Sequence, residues 1–141
     1  MMLAFSSLKK ILPELNSRVI TTDRIFEILH ARRIEFYELP FTTTNGCYAV
    51  DETKREYVIL RRAMETLLFH ETLCLESVHA LLHSYAPFLL RKQQLEAETF
   101  ALIAMMPQTD LPRLNRIKHQ LDAESYDYLM RRNKANEIWH L

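Results

Sequence analysis

Glycine is almost absent from this sequence, since Gly46 is the only one in 141 residues. Few positions can therefore adopt a positive φ without strain, which argues against the glycine-rich loops that bind phosphate groups. No P-loop or dinucleotide-binding pattern is present. Two cysteines, Cys47 and Cys74, are too few for a disulfide framework, and reduced thiols suit a cytosolic protein.

The sequence also lacks an excess of charge and any long apolar run. Lys+Arg and Asp+Glu both number 18, so no overall positive field would attract nucleic acid, and we expect no direct binding to it. No apolar run approaches the roughly 20 residues that cross a bilayer. The apolar residues 1–5 are too few for the core of a signal peptide. We therefore expect a cytoplasmic protein without membrane contact.

What is present is the composition of one globular domain over residues 1–141, with 48% apolar and 26% charged residues. The patterns predict helices over 5–13, 21–33, 63–83, 95–105, 111 onward and 122–132. They predict strands over 34–39, 47–50 and 56–60, and turns over 42–46, 51–54 and 85–87. We expect a helix-rich α+β fold in which a small antiparallel sheet packs against a central helix with flanking helices. Because 63–83 is long, we expect a break near 69–71.

Two stretches carry a family resemblance. Residues 72–83 read T-L-C-L-E-S-V-H-A-L-L-H, and residues 95–107 read L-E-A-E-T-F-A-L-I-A-M-M-P. Together with Glu38-Leu39-Pro40, Asn45-Gly46-Cys47-Tyr48 and Tyr57–Leu60, they resemble the ImmA/IrrE-type metallopeptidases. The resemblance spans residues 22–107, and residues 108–141 are predicted C-terminal helices. It implies a zincin-like central helix, and it implies a relation to regulatory peptidases that cut helix-turn-helix repressors in stress or phage circuits.

The zinc site implied by the resemblance is incomplete in this sequence. Two histidines four residues apart on a helix can reach one zinc ion, and a Glu beside them acts as general base. Glu76 matches that base and His79 the second His, whereas Leu75 occupies the first His position. Gln94 occupies the position of the third ligand, with Glu98 where the family has Asn; a shifted register would make Glu96 the candidate. We therefore expect no cofactor and a vestigial Glu76.

Two other pairs of residues have the spacing of metal ligands. His70 and Cys74 imitate the zinc pattern, with Glu71 after the His, but His70 and His79 lie on opposite faces of a continuous helix. His79 and His83 share a face and, with a third ligand from elsewhere, could bind zinc; the alternative is a pair of hydrogen-bonded, half-buried histidines. Cys74 is otherwise a small core residue.

We expect a pseudoenzyme that binds a protein partner, such as a transcriptional regulator, without catalysis. The alternative is a divergent zinc peptidase that cleaves a helix-turn-helix repressor, and a further alternative is a helix-mediated homo-oligomer that serves as a scaffold. A partner segment would lie along the edge of the sheet. The predicted edge is the strand with Tyr57, Val58, Ile59 and Leu60, or its neighbour over 47–50.

Overall fold

The computed structural model describes residues 2–40, 43–83 and 91–141, with side chains from Ala4 onward. The described chain is helix-rich α+β, as the patterns predict. Its elements are α1 (Met2–Ile11), α2 (Thr22–Ala31), β1 (Glu35–Leu39), β2 (Gly46–Val50), β3 (Glu56–Arg61), α3 (Thr66–Leu82), α4 (Arg91–Met105), α5 (Leu111–Arg116) and α6 (Ala123–Trp139). Short 3-10 turns flank α5. The predicted turn at 85–87 and part of the turn at 42–46 lie outside the described residues.

The sheet is mixed, so the prediction of an antiparallel sheet is wrong. Its strand order is β1-β3-β2, with β3 antiparallel to β2 and parallel to β1. The tight turn between β2 and β3 is predicted correctly: the Asp51 carboxylate accepts hydrogen bonds from the backbone of Thr53 and Arg55. Because β3 is the central strand, Tyr57–Leu60 is not an edge. The strand over 47–50, the predicted alternative, is one.

The helix starts follow from capping side chains. Thr21 accepts a hydrogen bond from the Arg24 amide at the start of α2, and Asp122 accepts one from Ser125 at the start of α6. Glu65 caps α3 by accepting from Leu67 and Leu68. That helix is continuous over 17 residues, so the expected break near 69–71 is wrong.

The last helix is longer than its pattern predicts. It runs to Trp139, seven residues past the predicted end at Arg132, because Arg132, Ala135 and Trp139 are buried on one side of it. The Trp139 ring packs edge-to-face on Phe5 of α1, with ring centroids 5.6 Å apart. The two ends of the chain therefore close the same core.

Helix α3 is the centre of that core. It packs against α4 on one side and against β2 and β3 on another, with α1 and α2 also in contact. Leu73, Cys74 and Val78 of α3 and Phe100 and Ile103 of α4 are fully buried. Any polar side chain of α3 that faces α4 is therefore held out of water. In the described part of the chain, no helix is both long and apolar enough to cross a membrane.

Candidate functional site

A stripe of polar side chains runs along one face of α3. Thr72, Glu76, His79 and His83 lie within about 60° of one another around a helix that turns 100° per residue. Thr72, His79 and His83 are buried, and Glu76 is half-buried. A buried polar stripe needs hydrogen-bond partners on the neighbouring elements. The partners are on α4 at the C-terminal end and on β2 nearer the N-terminal end.

At the C-terminal end, two histidines and a glutamate form a buried chain of hydrogen bonds. Nδ1 of His79 lies 3.1 Å from Nδ1 of His83, and Nε2 of His83 lies 3.0 Å from Oε2 of Glu96 on α4. The exposed fraction of each of these residues is below a tenth. With Glu96 ionised and both rings neutral, His83 donates to Glu96 and accepts from His79. The remaining His79 nitrogen, Nε2, is then an acceptor.

His79 is held in its neutral form. Burial lowers its pKa from 6.5 to about 4, with a further lowering from His83, while Gln94 acts in the opposite direction. Nε2 of His79 is buried and has no hydrogen-bond partner of ordinary geometry among the described residues. An imidazole nitrogen in this state is a potential metal ligand.

The two positions at which the resemblance departs from a zinc site lie on either side of His79. Leu75 is half-buried on α3, one turn before His79, and Gln94 is half-buried on α4. The Gln94 amide donates to the Glu98 carboxylate, 3.2 Å away, although it is close enough to His79 to affect its pKa. Leu75 and His79 therefore lie on one helix and Gln94 on the next.

Glu76 faces β2. It accepts a hydrogen bond from the Tyr48 backbone, and burial nevertheless raises its pKa from 4.5 to about 7. The Cys47 thiol is nearby: burial raises its pKa, and the negative charge of Glu76 raises it further. A groove of about 240 Å³, here called the β2 groove, opens beside Glu76. It is lined by Thr44, Asn45, Gly46, Leu68, Glu71, Thr72, Leu75 and Glu76.

His70 and Cys74, the other predicted metal pair, point away from this stripe. Nε2 of His70 lies 2.6 Å from the Ile20 carbonyl oxygen, in the segment between α1 and α2. Cys74 is fully buried, and burial raises the pKa of its thiol to about 12, which keeps it protonated. A protonated thiol is a poor metal ligand. The two side chains have separate roles in the core.

The donor set does not fit a three-ligand zinc site. The Nδ1 atoms of His79 and His83 are close enough to share one metal ion, but Glu96 contacts the opposite nitrogen of His83 and would orient that ring instead of binding the metal. Within residues 2–40, 43–83 and 91–141, no three His, Cys, Asp or Glu side chains form a group that could hold a metal ion.

Comparison with known proteins adds no relative. This chain matches no protein-family model, no curated protein and no solved structure. The site is therefore interpreted from its own geometry.

Sequence reasoning missed two features of the site. It considered Glu96 only as a metal ligand, whereas the structure makes it the hydrogen-bond partner of His83. The spacing of His83 and Glu96 across two helices gives no local signal for such a pair. It also missed the hydrogen bond between Glu76 and the Tyr48 backbone, which depends on where β2 lies relative to α3.

Proposed function

We propose that this chain is a non-catalytic, metallopeptidase-like domain that binds an extended segment of a protein partner, a transcriptional regulator, along β2. The observation that carries the proposal is the β2 groove, which lies between an edge strand and α3. A sheet edge binds an extended peptide through backbone hydrogen bonds, and an adjoining groove accommodates alternate side chains. Leu68 and Leu75 supply apolar surface in this groove.

The backbone of β2 has a defined outward face. The Arg61 amide donates to the Asn45 carbonyl, and the Asp51 amide donates to the Arg55 carbonyl, so the odd-numbered residues of this strand are the ones hydrogen-bonded to β3. In an antiparallel pair the hydrogen-bonded positions alternate. The backbone groups of Gly46, Tyr48 and Val50 therefore face away from β3.

Two of these outward backbone groups form hydrogen bonds with side chains, at the places where the backbone of a bound peptide would form them. The Thr44 hydroxyl donates to the Gly46 carbonyl, 3.1 Å away, where the N–H of an incoming strand would donate. The Glu76 carboxylate accepts from the Tyr48 backbone, where an incoming carbonyl would accept. Such covering limits unwanted pairing at a sheet edge. A partner strand replaces both contacts with its own backbone groups.

Two residues support the absence of catalysis. Leu75 carries no metal-binding atom, and the neutral amide of Gln94 is a poor zinc ligand. Glu76 then has no metal-bound water to activate, and its remaining contact is with the edge strand.

The second candidate function is a divergent zinc peptidase. One observation favours it: the Nδ1 atoms of His79 and His83 are 3.1 Å apart, and Glu96 orients His83 from behind. Stoichiometric zinc in the purified chain would favour this candidate.

A proline at Val50 tests the proposed edge. Val50→Pro removes an outward N–H and leaves the hydrogen bonds to β3 in place, because an edge strand tolerates proline on its outer side. For a partner purified from the native host, we expect affinity to fall at least about tenfold with Val50→Pro and to stay within about threefold with Val50→Ala, which keeps the N–H. Equal affinities of the partner for both variants would rule out β2 as the edge along which the partner binds.

The fate of the bound partner separates the two candidate functions. We expect it to remain intact after prolonged incubation, and we expect Glu76→Ala not to weaken binding, because Ala removes a competitor for the Tyr48 amide. Cleavage of the partner that disappears with Glu76→Ala would show that the chain is an enzyme.

A further inference from the structure

A large groove lies away from the histidines. It lies among the start of α3, the end of α4, α5 and the start of α6, and it has a volume of about 660 Å³. We call it the acidic groove. Its volume is within the range of sites that bind ligands or anchoring side chains. It adjoins the β2 groove, because Leu68 and Glu71 line both.

The floor of the acidic groove is apolar. It includes the side chains Leu68, Met105, Met106, Leu114, Tyr128 and Leu129. Leu67 stands at the same place with 65% of its surface exposed, the most exposed large apolar residue described. Methionine side chains adapt their shape to different apolar partners. This surface therefore suits an apolar partner that inserts several side chains.

The rim of the acidic groove is negative. Glu65, Glu71 and Glu124 line it, and no Lys, Arg or His is among its lining residues. None of the three carboxylates makes an ion pair within the described part of the chain. Burial raises the pKa of Tyr128 to about 12, the charge of Glu71 adds to that shift, and the charges of Arg131 and Arg132 oppose it.

The negative charge of the rim favours one class of partner over another. Phosphate-bearing partners, which include nucleic acid and anionic lipid surfaces, would be repelled by three carboxylates. A partner with basic side chains around an apolar centre would be attracted, since complementary charge guides association and sets specificity.

We propose that the acidic groove binds an amphipathic helix of a partner protein, whose apolar face fills the groove and whose flanking Lys or Arg side chains meet Glu65, Glu71 and Glu124. Helices dock in such grooves through apolar anchors at positions i, i+3 or i+4, and i+7. Helix binding here does not require a strand paired with β2, although Leu68 and Glu71 line both grooves.

A model peptide tests this proposal on the intact chain. The probe is a fluorescein-labelled helix of about 18 residues, with Leu at i, i+3, i+4 and i+7 and Lys on the flanks, which is long enough to form a helix when bound. We expect fluorescence anisotropy to give a Kd of about 10 µM or lower that rises with salt. A peptide with Glu in place of Lys should bind at least about tenfold more weakly.

Matched variants locate the binding surface. Glu71→Gln with Glu124→Gln, and separately Leu67→Ser, should each weaken binding at least about fivefold, without loss of helicity by circular dichroism. Glu52→Gln with Glu137→Gln makes the same change in net charge away from the groove and should leave affinity unchanged. Val50→Pro should also leave the affinity for the model peptide unchanged. This variant therefore distinguishes a failure of the acidic-groove proposal from a failure of the proposal for β2.

Three results would overturn the proposal. The first is equal binding of the Lys and Glu peptides. The second is equal loss of affinity in the groove pair and the control pair of variants. The third is an absence of binding by the Lys peptide; if the chain then forms a dimer that Leu67→Ser abolishes, the occupant of the groove is a second copy of this chain.

Discussion

Glu76 connects the central helix to the edge strand, and its protonation state changes near neutral pH. Its pKa is raised from 4.5 to about 7 because burial disfavours the charged carboxylate. A raised carboxyl pKa means that the folded state binds the proton more tightly than the unfolded state. The contribution of protonated Glu76 to the free energy of unfolding is thus complete below pH 4.5 and is lost as pH rises through 7.

We predict that Glu76→Gln removes this pH-dependent loss of stability. At pH 8 the variant should be more stable than the parent by about 2 kcal/mol, after allowance for the half-exposed side chain. At pH 4.5 the two proteins should differ little. Urea unfolding at both pH values measures the difference, and an equal effect of the substitution at pH 4.5 and pH 8 would contradict the raised pKa.

Gly46 is required by a close approach of neighbouring atoms. A Cβ atom there would lie 2.9 Å from the Ile59 carbonyl oxygen and 3.1 Å from Cγ2 of Thr72. The first contact is with the backbone of the paired strand, so the strand itself must shift. The only glycine of the chain is therefore at a point where β2 lies close to both β3 and α3.

We predict that Gly46→Ala lowers the free energy of unfolding by about 1–3 kcal/mol, the usual cost of forcing an extra methyl into a packed site. In a Thr72→Ser background, which removes Cγ2, the cost should be smaller but not zero. Chemical denaturation of the four proteins measures both values. A cost that is the same in both backgrounds would show that Thr72 does not crowd this position.

The sequence predicts one part of the polar stripe on α3 and not the other. The four-residue spacing of His79 and His83 predicts that they share a face, and they do, because that spacing is a local property of a helix. The partner of His83 is 13 residues away on another helix, so only the packing of α3 on α4 reveals Glu96.

Among the elements, α6 depends on a buried arginine. The Arg132 guanidinium donates to the Met106 carbonyl at the end of α4, to Asn136 of its own helix and to Asn16 before α2. Its side chain is completely buried, and burial lowers its pKa to about 10, so it remains charged at neutral pH. Within the described residues, no carboxylate is paired with it.

We predict that Arg132→Leu destabilises the chain by about 3 kcal/mol or more, because three partly buried acceptors lose the hydrogen bonds of a buried guanidinium. The adjacent Arg131→Leu is the control. Arg131 is exposed and stands over the Tyr128 ring at 5.9 Å, a contact worth about 0.5–1 kcal/mol. Thermal unfolding of the two variants distinguishes them, and a similar loss in both would contradict a structural role for Arg132.

Local sequence patterns predict which segments are helices or strands in this chain. They do not predict how long each element is or which elements it contacts. Thr21 and Asp122 mark helix starts because capping involves only nearby amides. The extension of α6 to Trp139 depends on α1, which supplies Phe5 from the other end of the chain. The parallel pairing of β1 with β3 likewise depends on contacts about 20 residues apart, and strand periodicity contains no information on it.

The thermal stability of the whole molecule should not depend on a bound metal ion. Because Leu75 and Gln94 occupy two of the ligand positions that the family resemblance implies, we predict less than about 0.2 zinc per chain in protein purified without a His-tag. Chelator should leave Tm unchanged within about 1 °C, since only a ligand of the folded state shifts it. A full equivalent of zinc, whose removal lowers Tm, would support the peptidase alternative.

Restoring the two ligands is the matching gain-of-function test. Leu75→His with Gln94→Glu should produce zinc binding with a Kd of about 1 µM or tighter, because two added ligands share the energy of a zinc site. Calorimetric titration measures it. If the double variant binds zinc no better than the parent, the assignment of these two positions to the zinc site is wrong.

The position of β3 in the middle of the sheet also matters during synthesis. Both β1 and β2 leave the ribosome before the strand that each of them pairs with. Until residue 61 has emerged, neither has its sheet partner, and the backbone groups that pair with β3 remain without that partner. Chaperones that shield nascent chains would therefore meet this protein at an early stage, and pauses in translation before β3 would lengthen the interval in which β1 and β2 can aggregate.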